Sequence, residues 1–285
     1  MRIDLTALAR RAKNPRRKSI AIRDVAPPAM LATDLYQAAY KPVVALWARY
    51  AERIAAEYER SLSALTTDAP VDIQALLDEA GSELERLFII LDAALRDWTL
   101  RVEAWQRGKW RGAVLSATAV DLQTVIGPED VRETLESYLT WNTQLVRDVS
   151  AQTRQRISNA VFAGLQNRAP AREVAKEIRE ATGLARDRSL RIASDQLSKL
   201  SGALADERRR EAGLDVWRWR WSHKKNGRAE HIARDGGLYT DNPALVGKSV
   251  GGEVIRAAPE RGDRPSQKPY CGCRAQSELI FEFDD

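Results

Sequence analysis

Reactive side chains are scarce in this sequence. Among its 285 residues it holds two cysteines, Cys271 and Cys273, and two histidines, His223 and His231. It has no Gly-x-Ser-x-Gly elbow, no Walker loop and no Gly-x-Gly-x-x-Gly run, which excludes the usual serine-hydrolase and nucleotide-binding signatures. Gly251-Gly252 is not followed by a helical pattern, so a phosphate loop has little support there. A membrane-spanning helix needs a run of about 18 apolar residues. The best stretch, Leu87–Leu95, is too short and carries Asp92. The N-terminus is basic with no apolar segment behind it, so no secretory signal is expected and synthesis in a cytoplasm is. Cys271 and Cys273 are spaced too tightly for a comfortable disulfide, so thiols or thiolates are expected. There is no internal repeat and no low-complexity tract.

What is present is an ordinary folding composition. Apolar residues make up 44% and charged residues 30%, enough apolar material for a real core. The net charge of +5 is unevenly spread. Residues 1–24 carry eight Lys or Arg against Asp4 and Asp24. Residues 208–234 carry nine against Glu211, Asp215 and Glu230. Two local basic zones suit a polyanion partner better than the overall charge does, although solvated surface charge reads equally well.

Along the chain, residues 1–29 mix basic residues with Pro15, Pro27 and Pro28 and read as a basic, flexible arm. A short amphipathic piece fits at Ile3–Ala12. Residues 30–127 read as an N-terminal helical region. A helix opens at Thr33-Asp34 and runs to Leu65, with a kink or stop at Pro42. After a break at Thr66–Pro70, a second helix starts near Asp68 or Pro70, and Gly108 and Gly112 bracket a turn. Residues 128–213 read as a further helical region. One helix opens at Pro128-Glu129. A shorter one opens at Pro170 and closes at Gly183. Another runs from about Asp187 to Glu211, with Leu190, Ala193, Leu197, Leu200 and Leu204 inward and Gly213 as its cap. Residues 214–285 form a small end domain. It starts on Val216-Trp217-Arg218-Trp219-Arg220-Trp221, which alternates like a strand, continues through Gly- and Pro-rich loops, and closes on a strand at Ser277–Phe283. The expected fold class is mainly α: long amphipathic helices followed by a small, loop-rich α+β end domain.

His231, Cys271 and Cys273 are the right donor types for a soft divalent metal, zinc fitting best. A fourth ligand is missing; His223 or an aspartate such as Asp235 would have to serve. The spacing is not that of a zinc finger. The plainer alternative is a cysteine pair packed under a loop, with His231 hydrogen-bonded to backbone. A metal-dependent nuclease built on His223 and His231 lacks its accompanying motif, and nothing orients a Cys–His nucleophile. The tryptophan strand with its arginines could stack bases, but Trp at two-residue spacing is more often core.

The C-terminal residues resemble a known family in their order. Ile192-Ala193-Ser194-Asp195-Gln196-Leu197-Ser198-Lys199-Leu200 is followed by a helix end at Gly213 and by the strand that holds Trp219. Then come Arg228-x-x-His231, Asp235-Gly236, Leu238-Tyr239 and Pro269-Tyr270-Cys271-Gly272-Cys273-Arg274. This ordered set, over roughly residues 130–283, resembles the Mu-F-type phage head morphogenesis (minor head protein) family. Asp195, Gln196, Lys199, Trp219, Asp235 and Gly236 match its motif. Two departures stand out. His223-Lys224-Lys225 replaces an acidic position ahead of Arg-x-x-His, and Cys271-Gly272-Cys273 replaces a usual Cys-Arg-Cys.

The resemblance implies a non-catalytic minor head protein of a tailed phage or prophage. It would act at or near the portal in procapsid assembly and DNA packaging or delivery. Portal, major capsid or scaffold proteins and the DNA backbone would be its partners, with no membrane contact. It would sit in the procapsid interior and virion, and in host cytoplasm during assembly. Arg208, Arg209, Arg210, Arg218, Arg220, Lys224, Lys225 and Arg228 would touch DNA or a partner without reading sequence. The alternatives are a metal-dependent nuclease or toxin-like effector, and a non-specific DNA-binding module. Family members fused to toxin domains exist; the chain runs only ten residues past Ala275, so none is expected here.

Overall fold

A computed structural model describes residues 3–13, 16–64, 69–123 and 131–284. The described chain is mainly helical: α1 (Leu5–Lys13), α2 (Ala29–Leu35), α3 (Lys41–Ala64), α4 (Ala69–Thr118), α5 (Arg132–Asn167), α6 (Ala171–Glu211) and the short α7 (Ala229–Ala233). Its strands are β1 (Ser19–Ala21), β2 (Val216–Arg220), β3 (Leu238–Thr240), β4 (Ser249–Val250), β5 (Glu253–Ala257) and β6 (Arg274–Ile280). Long helices followed by a small strand-bearing region is the expected class. Among the described residues no helix is long and apolar enough to cross a membrane.

The chain divides into two compact units: Met1–Pro28 with Leu100–Glu136 and Asp195–Asp285, and Ala29–Thr99 with Ser137–Ser194. Among the described residues, the regular structure of the second unit is all helical. Its core includes Tyr40, Trp47, Tyr50, Ile54, Tyr58, Ile73 and Leu77. Three of its aromatic polar atoms find partners: Trp47 Nε1 donates to Ser150 Oγ at 2.9 Å, Tyr58 Oη to the Ala169 carbonyl at 2.8 Å, and Trp98 Nε1 to the Leu31 carbonyl at 2.7 Å. Gly164 lets α5 lie close to its neighbours: a Cβ there would meet Val174 Cγ2 at 2.6 Å and Tyr58 Oη at 2.9 Å.

Pro42 does not end the helical run, which continues from Ala29 to Ala64, but the chain ahead of it changes form. Between α2 and α3, Tyr36–Tyr40 form a π-helical turn. Proline has no N–H to give the carbonyl four residues back, and its ring crowds that carbonyl, so the turn widens. The helix begins at Ala29, four residues before the expected Thr33.

Two expected breaks are absent. Gly108 and Gly112 sit inside α4, and Gly183 sits inside α6, which is one helix from Ala171 to Glu211 rather than two. A helical glycine costs only about 1 kcal/mol against alanine, and the buried neighbours Trp110 and Val114 hold the register. Ala193, Leu197, Leu200 and Leu204 face inward as expected, but Leu190 is 44% exposed. The starts at Asp68 and at Pro128-Glu129 lie outside the described residues.

The first unit carries a six-stranded mixed sheet in the order β1-β6-β2-β3-β5-β4. Only β3 and β5 pair in parallel. Residues 1–29 are not a free arm where they are described. Ile3 N donates to the Glu211 carbonyl at 2.6 Å, β1 pairs with β6, and Asp24 accepts from Arg274 Nε at 2.6 Å. Leu5, Ala9 and Ile22 are buried with Trp110, Val114, Leu214 and Leu279. The amphipathic piece expected at Ile3–Ala12 is α1. Leu5 and Ala9, four residues apart, supply its inner face, while Arg10 and Arg11 face solvent. The basic residues made the segment look like an arm, yet a few apolar residues at the right spacing fix it.

Candidate functional site

The site is built around β2. Trp217 and Trp219 alternate on one face and are fully buried, with Trp221 half-buried beyond them. They pack on Tyr239, Cys271 and Cys273, so this face is core, as their spacing favoured. On the other face Val216 joins Leu238, Val250 and Ile255. The Asp235-Gly236 turn returns the chain beside β2. Asp235 Oδ1 accepts from Trp221 N at 2.9 Å, and Gly236, at φ 78°, donates its N–H to the Trp219 carbonyl at 2.9 Å.

Short helix α7 then presents His231, and the loop Ser266–Cys273 presents the two cysteines. That loop takes left-handed backbone at Ser266 (φ 66°), Tyr270 (φ 59°) and Gly272 (φ 66°). Such a path costs on the order of 1 kcal/mol or more per non-glycine residue and persists only where surroundings impose it. Here they do. Asp195 of α6 accepts from Tyr270 N at 2.6 Å and is paired with Lys199 at 2.9 Å, both nearly buried. Ser222 Oγ donates to the Cys271 carbonyl at 2.9 Å and Ser266 Oγ to the Cys273 carbonyl at 2.7 Å. Lys224 Nζ donates to the Tyr270 carbonyl at 2.9 Å, and Arg228 Nη2 to that of Pro269 at 3.2 Å. Gly202 gives the loop room, since a Cβ there would meet Ser266 at 2.8 Å.

The three expected donors converge. His231 Nδ1 lies 3.3 Å from Cys271 Sγ and 3.7 Å from Cys273 Sγ. All three donor atoms lie within 4.8 Å of one another, and all three residues are buried. The cysteines are free thiols. Neither suggested fourth ligand joins them: Asp235 caps the Trp221 amide, and His223 is exposed with its ring 4.6 Å from that of Trp221. A hydrogen bond from Cys273 holds Cys271 below the ordinary thiol range, and the same bond with burial pushes Cys273 above it.

Sequence reasoning missed Asp263. Its Oδ1 lies 3.0 Å from His231 Nε2, and it is paired with Arg234 at 2.7 Å and Lys268 at 2.6 Å. Burial raises its pKa, but hydrogen bonds from Lys268, His231 and Arg234 outweigh this and hold it well below the usual carboxylate range. An ionised carboxylate only accepts, so Nε2 is the donor in that contact, and Nδ1 is the ring atom that faces the two sulfurs. Asp263 lies in a loop with no periodic pattern, and nothing local marks it.

The basic residues separate into two groups. Arg208 is 0% exposed; it pairs with Glu103 and donates to Gln106 Oε1 at 2.8 Å. Burial lowers its pKa, and the Glu103 carboxylate counters this. Arg209 is also buried, on Asp206 and over the Trp217 ring. Both were expected as surface contacts. Instead α6 turns them inward, where each has a carboxylate. Arg218 is half-buried in a two-pronged pair with Glu253 at 2.6 and 3.1 Å. Arg210, Arg220, Lys224 and Lys225 are exposed, and Arg228 is half-buried.

Residues 155–276 match the family described as phage Mu protein F like protein. This segment is Mu F-like. It takes in the motif residues Asp195, Gln196, Lys199, Trp219, Asp235 and Gly236 and the His–Cys–Cys cluster. An uncharacterized protein of Haemophilus influenzae is 27% identical over 130 residues, 45% of this chain and 29% of the relative. The match therefore spans less than a third of that relative's length. No solved structure matches the chain. Within the Mu F-like segment five of the six motif residues surround the cluster and its loop. Asp195 anchors the cysteine loop, with Lys199 beside it; Trp219 floors the cluster, meeting the His231 ring edge-on at 5.0 Å; Asp235 and Gly236 fix the turn leading back from α7.

Proposed function

We propose that the protein is a minor head protein of a tailed phage or prophage. It acts at or near the portal in procapsid assembly and in DNA packaging or delivery, without catalysing a reaction. The observation that carries this reading is the family match over residues 155–276. The geometry supports a structural role for that region. Asp195 of the motif, with Ser222 and Ser266, spends its hydrogen bonds on holding the cysteine loop. His223, which a two-histidine nuclease would need, lies apart from His231. Portal, major capsid or scaffold proteins are the partners proposed. Arg210, Arg220, Lys224, Lys225 and Arg228 are the residues proposed to meet the DNA backbone.

The test is genetic and compositional. Procapsids purified from a phage or induced prophage encoding this chain should contain it, and cross-linking should join it to the portal. Deleting its gene should yield heads that mature or package abnormally. Normal infectious heads without the gene, and heads free of the protein in the wild type, would defeat the reading.

A further inference from the structure

The His231–Cys271–Cys273 cluster sits 3.3 and 3.7 Å across its nitrogen–sulfur gaps. A tetrahedral zinc ion with Zn–S of about 2.3 Å and Zn–N of about 2.0 Å sets its nitrogen and sulfur ligands about 3.5 Å apart. The observed gaps straddle that value. A hydrogen-bonded cluster accounts for less. Nδ1 can make one hydrogen bond, as donor or as acceptor, yet it faces two sulfurs.

The surroundings match what a metal-bound histidine requires. Its other nitrogen is held by a carboxylate, Asp263, which fixes the ring and its tautomer. Asp263 is in turn fixed by Arg234 and Lys268. The sulfurs are locked through the backbone of their loop, whose carbonyls at Cys271 and Cys273 accept from Ser222 and Ser266. A cavity of about 20 Å³ opens on the cluster beside Asn226 and Tyr270. A water needs roughly 10–15 Å³, so one fits. Two thiolates also neutralise a divalent ion, so the buried site need carry no net charge.

We propose that His231 Nδ1, Cys271 Sγ and Cys273 Sγ bind one zinc-class divalent metal ion, with a water in the adjoining cavity as fourth ligand. Both sulfurs bind as thiolates, any proton still held passing to solvent, and the ion joins α7 to the cysteine loop. The ion fastens two segments that the chain separates by forty residues. This proposal stands apart from the head-protein reading, because its test needs no phage component.

The experiment uses the full-length chain, stripped with chelator and titrated with Co(II). A tetrahedral thiolate site gives intense visible bands and a thiolate-to-cobalt charge-transfer band in the near ultraviolet. Zinc should displace both stoichiometrically. Cys271→Ser/Cys273→Ser should lose both, and His223→Ala should keep them. Because a site variant could simply misfold, the wild-type titration decides by itself. If wild-type protein with Co(II) shows only the faint spectrum of the hydrated ion, and its thiols alkylate as fast with zinc as without, the proposal falls. Loss of the bands in His223→Ala would also overturn this ligand set.

Discussion

At the scale of single residues, charge means different things at neighbouring positions of one helix. Arg208 and Arg210 sit on the same basic run, yet one is wholly buried on Glu103 and the other exposed beside Glu207. Removing one partner of a buried pair strands the other charge and costs about 3–5 kcal/mol. An exposed pair contributes about 0–1 kcal/mol. Arg208→Ala should therefore lower the urea midpoint sharply while Arg210→Ala hardly moves it; equal effects would contradict the burial. A second residue-scale expectation concerns Lys224 and Gly272, which meet in space. A Cβ on Gly272 would lie 3.0 Å from Lys224 Cε and Nζ. Gly272→Arg alone should destabilise by about 1–2 kcal/mol, from its left-handed backbone and two juxtaposed cations. Adding Lys224→Glu should recover part of that loss in a double-mutant cycle. Strict additivity of the two changes would show that they do not interact.

At the scale of elements, the sheet is completed by the stretch that looked most like an arm. β1 covers the edge of β6, and Leu5, Ala9 and Ile22 close a cluster with Trp110 and Leu279. Each fully buried aliphatic side chain contributes about 1.5–3 kcal/mol, and an uncovered strand edge invites association. A chain lacking residues 1–24 should melt at a lower temperature and aggregate. If it keeps the full-length melting temperature, these contacts contribute little. The long helices make a related point. The glycines at 108, 112 and 183 read locally as stops, but each helix continues, since about 1 kcal/mol per glycine is small beside the packing of a buried face.

At the scale of the whole molecule, the nine Lys or Arg of residues 208–234 overstate its basic surface, because Arg208, Arg209 and Arg218 are engaged with carboxylates. The exposed remainder around Lys224 and Lys225 is small. DNA binding should accordingly be weak and sequence-independent, with a salt slope reflecting about three to five phosphate contacts. Lys224→Glu/Lys225→Glu should flatten that slope by roughly two, since each contact adds about 0.9. Tight, sequence-selective binding in a mobility-shift titration would contradict this and favour a dedicated DNA-binding module.

The sequence by itself determined much of this protein. Apolar residues at three- and four-residue steps marked the helices, alternation marked β2, and the ordered motif marked the Mu F-like segment, because periodicity and residue type are local properties. It also named His231, Cys271 and Cys273, since few other residues have that donor chemistry. What it did not carry was decided only in three dimensions. Asp263 is set behind His231 from a loop without pattern, Arg208 is turned onto Glu103 from a helix more than a hundred residues away, and residues 3–24 are recruited to a sheet built mostly from the far end of the chain. Each depends on contacts between distant segments, and no local spacing encodes which distant partner a side chain will meet.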